Sequence, residues 1–163
     1  MNLYKRYYQM LLKPQLAKSW IGEILVFTPR FICGIALSTG FGADKFGMPW
    51  SPPDNNLGLF EVAYWFPGDV AAYGGVFAMF PVFFAWMGAF SEAVGGLFLA
   101  FGWYTRVAAF LLVCTMLVAI FFQQWGGGTW SLLPAAGFLW VGIYHLVIGS
   151  GRLGVDYFIT KSK

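Results

Sequence analysis

Four long apolar stretches make up most of this 163-residue chain, over residues 20–41, 81–103, 107–122 and 132–148. Apolar residues in continuous blocks, rather than alternating with polar ones, are typical of helices that cross the hydrocarbon core of a bilayer. The chain is 59% hydrophobic and only 10% charged, with a mean hydropathy of +0.66. This composition excludes an ordinary soluble domain, in which about a quarter of the residues are charged. We therefore predict an all-α integral membrane protein, folded as one four-helix bundle.

The regions between the apolar stretches define the domain organisation. Residues 1–19 are predicted to form a basic amphipathic segment on the membrane surface. The bundle occupies residues 20–151, and residues 152–163 form a short tail. The long, aromatic-rich connection over residues 43–78 is predicted to contain short interfacial helices that cover one face of the bundle.

The distribution of charges predicts the orientation. With four spans, one basic residue, Lys45, shares its side with the acidic residues Asp44, Asp54, Glu61 and Asp69. The other basic residues outside the spans all fall on the opposite side: Lys5, Arg6, Lys13, Lys18, Arg106, Arg152, Lys161 and Lys163. The positive-inside rule then places both termini in the cytoplasm. The net charge of +3 is explained by this topology, and nucleic acid is not an expected partner.

Two of the apolar stretches carry a charged residue near the middle, and these two residues are the first candidates for function. Arg30 lies ten residues after Trp20, and Glu92 lies eleven residues before Trp103. At a rise of 1.5 Å per residue, both would lie roughly 15 Å from the same face, near the bilayer centre. A charge at this depth is costly and is rarely left without a partner. We therefore predict that Arg30 and Glu92 form an ion pair between the first two spans.

Two interpretations of this pair remain open. The pair could only fix the packing of the two helices, or it could form a polar pocket that binds a head group, such as that of a quinone, or relays a proton. Small residues near the pair, Gly34, Gly95 and Gly96, are predicted to let the helices approach closely. Such packing leaves both interpretations possible.

The sequence contains few residues that could support catalysis by this chain alone or bind a metal. His145 is the only histidine and is expected more often to be a packed or interfacial residue than a ligand, although it remains a candidate. No set of Cys and His residues has the spacing of a zinc, copper or iron–sulfur site, and one histidine cannot supply both ligands of a bis-histidine haem. No nucleophile–base pair or phosphate loop is visible. We expect no metal, no covalently bound cofactor and no enzymatic activity of the chain on its own.

Four sequence segments occur in an order that resembles a known family. The first span carries an arginine followed by small residues and a lysine: Arg30, Gly34, Gly40 and Lys45. Residues 92–110 read EAVGGLFLAFGWYTRVAAF, residues 116–128 read MLVAIFFQQWGGG, and residues 149–156 read GSGRLGVD. Together they resemble the DoxX family of small bacterial four-span membrane proteins. That family is also similar to the DoxD subunit of thiosulfate:quinone oxidoreductase.

The resemblance implies that the protein lies in the bacterial cytoplasmic membrane. It also implies that the protein is part of, or accessory to, a membrane oxidoreductase or respiratory system. It implies other membrane subunits or a homo-oligomer as partners, besides the lipid bilayer, and quinone as a cofactor bound without covalent or metal ligation. Many family members have a histidine before the tryptophan that ends the third span. This chain has Gln124 at that position. Gln124 stays a candidate, but a metal or proton-transfer role of the histidine does not carry over to an amide.

Three functions follow from these observations. The first is a membrane subunit that binds a quinone or a lipid near Arg30 and Glu92, associated with an oxidoreductase. The alternative is a structural or assembly subunit of a larger membrane complex, in which the ion pair only locks the bundle. A transporter or channel is less favoured, because the chain has no internal repeat and no polar stripe along a span.

Overall fold

The computed structural model describes residues 9–161. Residues 1–8 of the predicted surface segment and the last two residues of the tail lie outside the described residues. The structure is 75% helical, and the described residues contain no strand. This confirms the predicted all-α class.

Four helices are long and apolar enough to cross a membrane, as predicted: Trp20–Lys45, Pro81–Phe101, Thr105–Gly127 and Thr129–Ile148. We name their regular parts α1 (Trp20–Ala36), α4 (Pro81–Phe101), α5 (Thr105–Val118) and α6 (Thr129–Ile148). Helix α1 continues through a π-helical turn, Leu37–Gly42, and a last turn, Ala43–Lys45. Helix α5 continues through a second π-helical turn, Ala119–Gln124, and a 3₁₀ turn, Trp125–Gly127.

Small residues let α1 and its continuation lie directly on α4. Gly34, Ser38 and Gly42 are spaced four residues apart, which places them on one helix face. A Cβ atom on Gly34 would lie 2.5 Å from the carbonyl oxygen of Gly96, and one on Gly42 would lie 2.5 Å from the amide nitrogen of Ala93. Between them, the Ser38 hydroxyl donates to the carbonyl oxygen of Ala93 at 2.6 Å. The backbones therefore approach as closely as glycine allows.

Gly95 does not make the close contact with another helix that was predicted for it. It is buried, but the atoms within 4 Å of a Cβ built on it, in Phe90 and Ser91, belong to its own helix. Gly96 faces α1, and the neighbouring position on a helix points about 100° away. For this reason only one of the two adjacent glycines can lie in the α1–α4 contact.

The connection after the first span folds against the bundle as short helices. It contains a 3₁₀ turn, Pro53–Asn55, and two α-helices, α2 (Phe66–Ala71) and α3 (Gly75–Met79). Its buried side chains pack on α4, in a cluster formed by Phe46, Phe66, Val70, Ala85, Ala89 and Ala93. The predicted short helices of the long connection are thus present.

The other end of the bundle carries both terminal segments. The backbone amide of Gln15 donates to the carbonyl oxygen of Ile148 at 2.8 Å. The tail forms a short helix, α7 (Val155–Lys161), and Asp156 accepts from the amides of Tyr104 and Thr105 at 2.8 and 2.9 Å. We call this the terminal end and the opposite one the loop end. That the terminal end faces the cytoplasm remains a prediction.

Candidate functional site

The central charged group of the bundle is an ion pair between Lys45 and Glu92. The Lys45 Nζ lies 2.7 Å from Glu92 Oε2, and the side chains are 14% and 6% exposed. The ammonium also lies 5.3 Å from the centre of the Phe66 ring, within range of a cation–π contact. The pair can form because Gly42 has no side chain. A Cβ atom at this position would collide with the backbone of Glu92 and Ala93. The close approach at Gly42 brings the end of the first span beside the middle of α4.

The predicted pairing of Arg30 with Glu92 is wrong. The Arg30 guanidinium is fully buried and donates to the carbonyl oxygens of Leu99, Ala100 and Leu153 at 2.6, 2.8 and 3.1 Å. Leu99 and Ala100 lie in the last turn of α4, where carbonyl oxygens lack an amide donor four residues further along the helix and carry partial negative charge. The arginine therefore finds its acceptors at the terminal end, away from Glu92.

A cavity of about 340 Å³ opens beside the Lys45–Glu92 pair, between α4 and α5 and under the short helices of the connection. Its volume lies at the lower end of the range for small-molecule sites, roughly 300–1,000 Å³. Most of the lining is apolar, with aromatic rings from Phe66, Phe77, Phe83, Phe84 and Phe110. The polar lining consists of Lys45, Tyr73, Ser91, Glu92, Thr115 and Gln123, with the Cys114 thiol beside them. We call this the central cavity.

Ser91 gives the central cavity an unused hydrogen-bonding group. Its side chain is 1% exposed, and the hydroxyl has no hydrogen-bond partner within residues 9–161. Buried hydroxyls nearly always have a partner, and one without a partner costs about 1–3 kcal/mol. Ser91 also lines the central cavity, so its hydroxyl is an unused donor and acceptor in the cavity wall.

Tyr73 adds a phenol at the loop end of the central cavity. Partial burial raises the pKa of Tyr73 above its usual value, and the negative charges of Asp69 and Glu92 raise it further. The phenol therefore stays protonated at neutral pH and can donate a hydrogen bond.

The side of the central cavity between α4 and α5 is open at the bundle surface. Phe83 and Phe110 are 60% and 54% exposed, and Cys114 is exposed as well. Since α4 and α5 are long and apolar enough to cross a membrane, we expect this opening to face the acyl chains of the bilayer. A ligand with an apolar tail can thus place its ring inside and its tail outside.

The other sequence-derived candidates do not line the central cavity. His145 is fully buried, with Nδ1 2.9 Å from the Val141 carbonyl oxygen and Nε2 3.2 Å from that of Val26. Gln124 accepts a short hydrogen bond from the Ser131 hydroxyl and so joins the ends of two spans. Of the four candidates for ligand binding or proton relay, only Glu92 lies in the cavity.

Gln123 lines the central cavity, and its neighbour Gln124, the candidate from the sequence, does not. The π-helical turn Ala119–Gln124 shifts the helix phase at this point, which sequence periodicity does not indicate. The sequence pattern indicates only that Lys45 is a charge outside the spans, although the family resemblance includes this residue. No group of three or more His, Cys, Asp or Glu side chains is placed to bind a metal within residues 9–161.

Comparison with known proteins finds a family model that matches part of the chain. The DoxX family model matches residues 56–125, a region that includes Glu92, Ser91 and most of the cavity lining. No curated protein and no solved structure matches the chain. This match supports membership of the DoxX family, to which the sequence segments are similar.

Proposed function

We propose that this DoxX-like protein is a subunit associated with a membrane oxidoreductase, and that its central cavity binds the head group of a quinone. The observation that carries the proposal is the buried, unpartnered Ser91 hydroxyl beside the Lys45–Glu92 pair. The protein itself is multi-pass and embedded in lipid. The bacterial cytoplasmic membrane, with the terminal end inward, is the proposed location.

The residues of the central cavity match the chemistry of a quinone ring. A quinone carries electrons and protons between membrane enzymes, and its ring has two carbonyl oxygens that accept hydrogen bonds. Ser91, Tyr73 and the two free N–H groups of the Lys45 ammonium can donate to them. In the reduced form, the ring hydroxyls can donate to the Glu92 carboxylate. The aromatic lining packs on the faces of the ring, and the tail runs out between Phe83 and Phe110.

The alternative is a structural or assembly role, in which the ion pair only fixes the bundle. The specific observation that favours it is the mutual neutralisation of Lys45 and Glu92, together with the close α1–α4 contact at Gly42. A purely structural cavity, however, gives no reason for an unpartnered serine hydroxyl.

Ser91→Ala separates the two functions. If the hydroxyl serves a ligand, its removal lowers the affinity for a short-chain benzoquinone about fivefold, the value of one hydrogen bond. The same change raises the stability of the ligand-free protein, because a buried group without a partner is removed. The measurements are equilibrium binding and thermal unfolding of the protein in detergent.

Ser38→Ala is the matched control. The Ser38 hydroxyl is equally buried but already donates to Ala93, so its loss lowers stability and leaves quinone affinity unchanged. Wild-type protein that does not bind the benzoquinone rejects the proposal, and so does an unchanged affinity of the Ser91→Ala variant.

A further inference from the structure

A second cavity lies at the terminal end of the bundle. It has a volume of about 720 Å³ and is formed by residues 9–13, the start of α5 and the end of α6. Its lining shares only Phe110 with that of the central cavity. We call it the terminal groove.

Two cations line the terminal groove, and the described residues place no counter-charge beside them. They are Lys13 and Arg106, and no acidic side chain of residues 9–161 lines the groove. Neither cation has a carboxylate within ion-pair distance in the part of the chain described. Arg106 donates to the carbonyl oxygens of Met10 and Val147, the latter at 3.1 Å. These neutral acceptors hold the guanidinium at the groove but do not cancel its charge.

The rest of the terminal groove is apolar and exposed. Met10 is 71% exposed, Phe110 is 54% exposed, and Leu11 and Val107 are exposed as well. Arg106 lies in the first turn of α5, whereas Phe110 lies one turn deeper into the span. The groove therefore joins a positive rim, at the level of the lipid head groups, to an apolar floor at the level of the acyl chains.

We propose that the terminal groove binds one anionic phospholipid. Its phosphate accepts hydrogen bonds from Lys13 and Arg106, and one acyl chain lies along Val107 and Phe110. Charge complementarity selects this occupant, because a cation at the level of the head groups is attracted by the negative charge of an anionic lipid. A zwitterionic lipid brings its own cation to the same rim and gains less. The proposal does not rest on quinone binding in the central cavity, although the two linings share Phe110.

The proposal is tested by titrating phosphatidylglycerol and phosphatidylcholine into the purified full chain and counting bound lipids by native mass spectrometry. Wild-type protein is expected to retain one phosphatidylglycerol with at least fivefold preference over phosphatidylcholine. The double variant Lys13→Gln/Arg106→Gln is expected to lose that preference. Val107→Trp, which keeps both cations and fills the apolar floor, is expected to weaken phosphatidylglycerol binding about tenfold by excluding the chain.

The control Lys18→Gln/Lys161→Gln removes the same charge from the terminal end outside the groove, and it is expected to bind as the wild type does. Equal losses in the two double variants would show a general charge effect and overturn the proposal. Equal binding of the two lipids by the wild type would overturn it as well. Displacement of the lipid by inorganic phosphate alone would show a free-phosphate site rather than a lipid site.

Discussion

The ammonium nitrogen of Lys45 lies 2.7 Å from a carboxylate oxygen of Glu92, at a point where the end of the first span meets the middle of the second. Both side chains are largely buried, and within residues 9–161 neither has another ion-pair partner. The pair thus neutralises two charges that the bilayer would otherwise exclude, and it forms one wall of the central cavity.

Removing only one of the two charges of this pair should destabilise the folded protein. Glu92→Gln leaves the Lys45 ammonium buried without a counter-charge, and we expect a loss of about 3–5 kcal/mol in the free energy of unfolding. Lys45→Met/Glu92→Leu removes both charges and should unfold closer to the wild type. Unfolding titrations in mixed micelles measure both. A Glu92→Gln variant as stable as the wild type contradicts the assignment of the pair.

Close packing of α1 on α4 is tested by two glycines in the same π-helical turn. A Cβ on Gly42 would lie 2.5 Å from the Ala93 amide nitrogen, whereas a Cβ on Gly40 meets no atom within 4 Å. Gly42→Ala should therefore destabilise the protein by about 1–3 kcal/mol through overpacking, and it should disturb the Lys45–Glu92 pair. Gly40→Ala is the control and should unfold as the wild type does. Similar unfolding of the two variants would show that the contact is looser than described.

The tail should contribute to stability through Asp156. Its carboxylate accepts from the amides of Tyr104 and Thr105 and from the Thr105 hydroxyl, and so caps the start of α5. Asp156→Ala should cost about 0.5–2 kcal/mol, as for other lost helix caps. Thr160→Ala, whose hydroxyl bonds only within α7, is the control and should cost less. Thermal unfolding in detergent measures both variants.

The pH dependence of the Asp156 contribution has a definite sign. Burial raises the pKa of Asp156 in the folded protein above its ordinary 3.8, against the opposing effect of its hydrogen bonds. A folded-state pKa above the unfolded one means that protonation favours the folded state. The stability of the wild type relative to Asp156→Asn should therefore rise as the pH falls from above the folded pKa towards 3.8. A difference that shrinks over this window would show that the hydrogen bonds outweigh burial.

The fold was largely predictable, because long apolar blocks and the placement of charges leave few topologies open. Backbone depth alone predicts the wrong partner for Arg30. Side chains on a helix lean towards its N-terminus, and α1 and α4 begin at opposite ends of the bundle. Arg30 therefore leans towards the terminal end and Glu92 towards the loop end, where Lys45 leans back to meet it. The direction in which each side chain leans follows from the sequence and the predicted topology, and it indicates the Lys45–Glu92 pair.

The central cavity, in contrast, was not predictable from the sequence. Its shape depends on π-helical turns that place Gln123 rather than Gln124 at the lining, and on how the connection folds over α4. Whether the Ser91 hydroxyl has a hydrogen-bond partner likewise depends on the detailed packing of the side chains around it. Neither feature leaves a periodic signal in the chain.

The central claim is that a quinone head group occupies the central cavity, and photoaffinity labelling with a benzoquinone that carries a photoreactive group on the ring tests it most directly. Labelled peptides from protein in native-like bilayers are identified by mass spectrometry, with and without excess unlabelled quinone. We predict label on residues 83–92 and 110–119, the α4 and α5 segments that line the cavity, and its loss in the presence of competitor. Label spread over the lipid-facing surface of α6 and unaffected by competitor would contradict the claim.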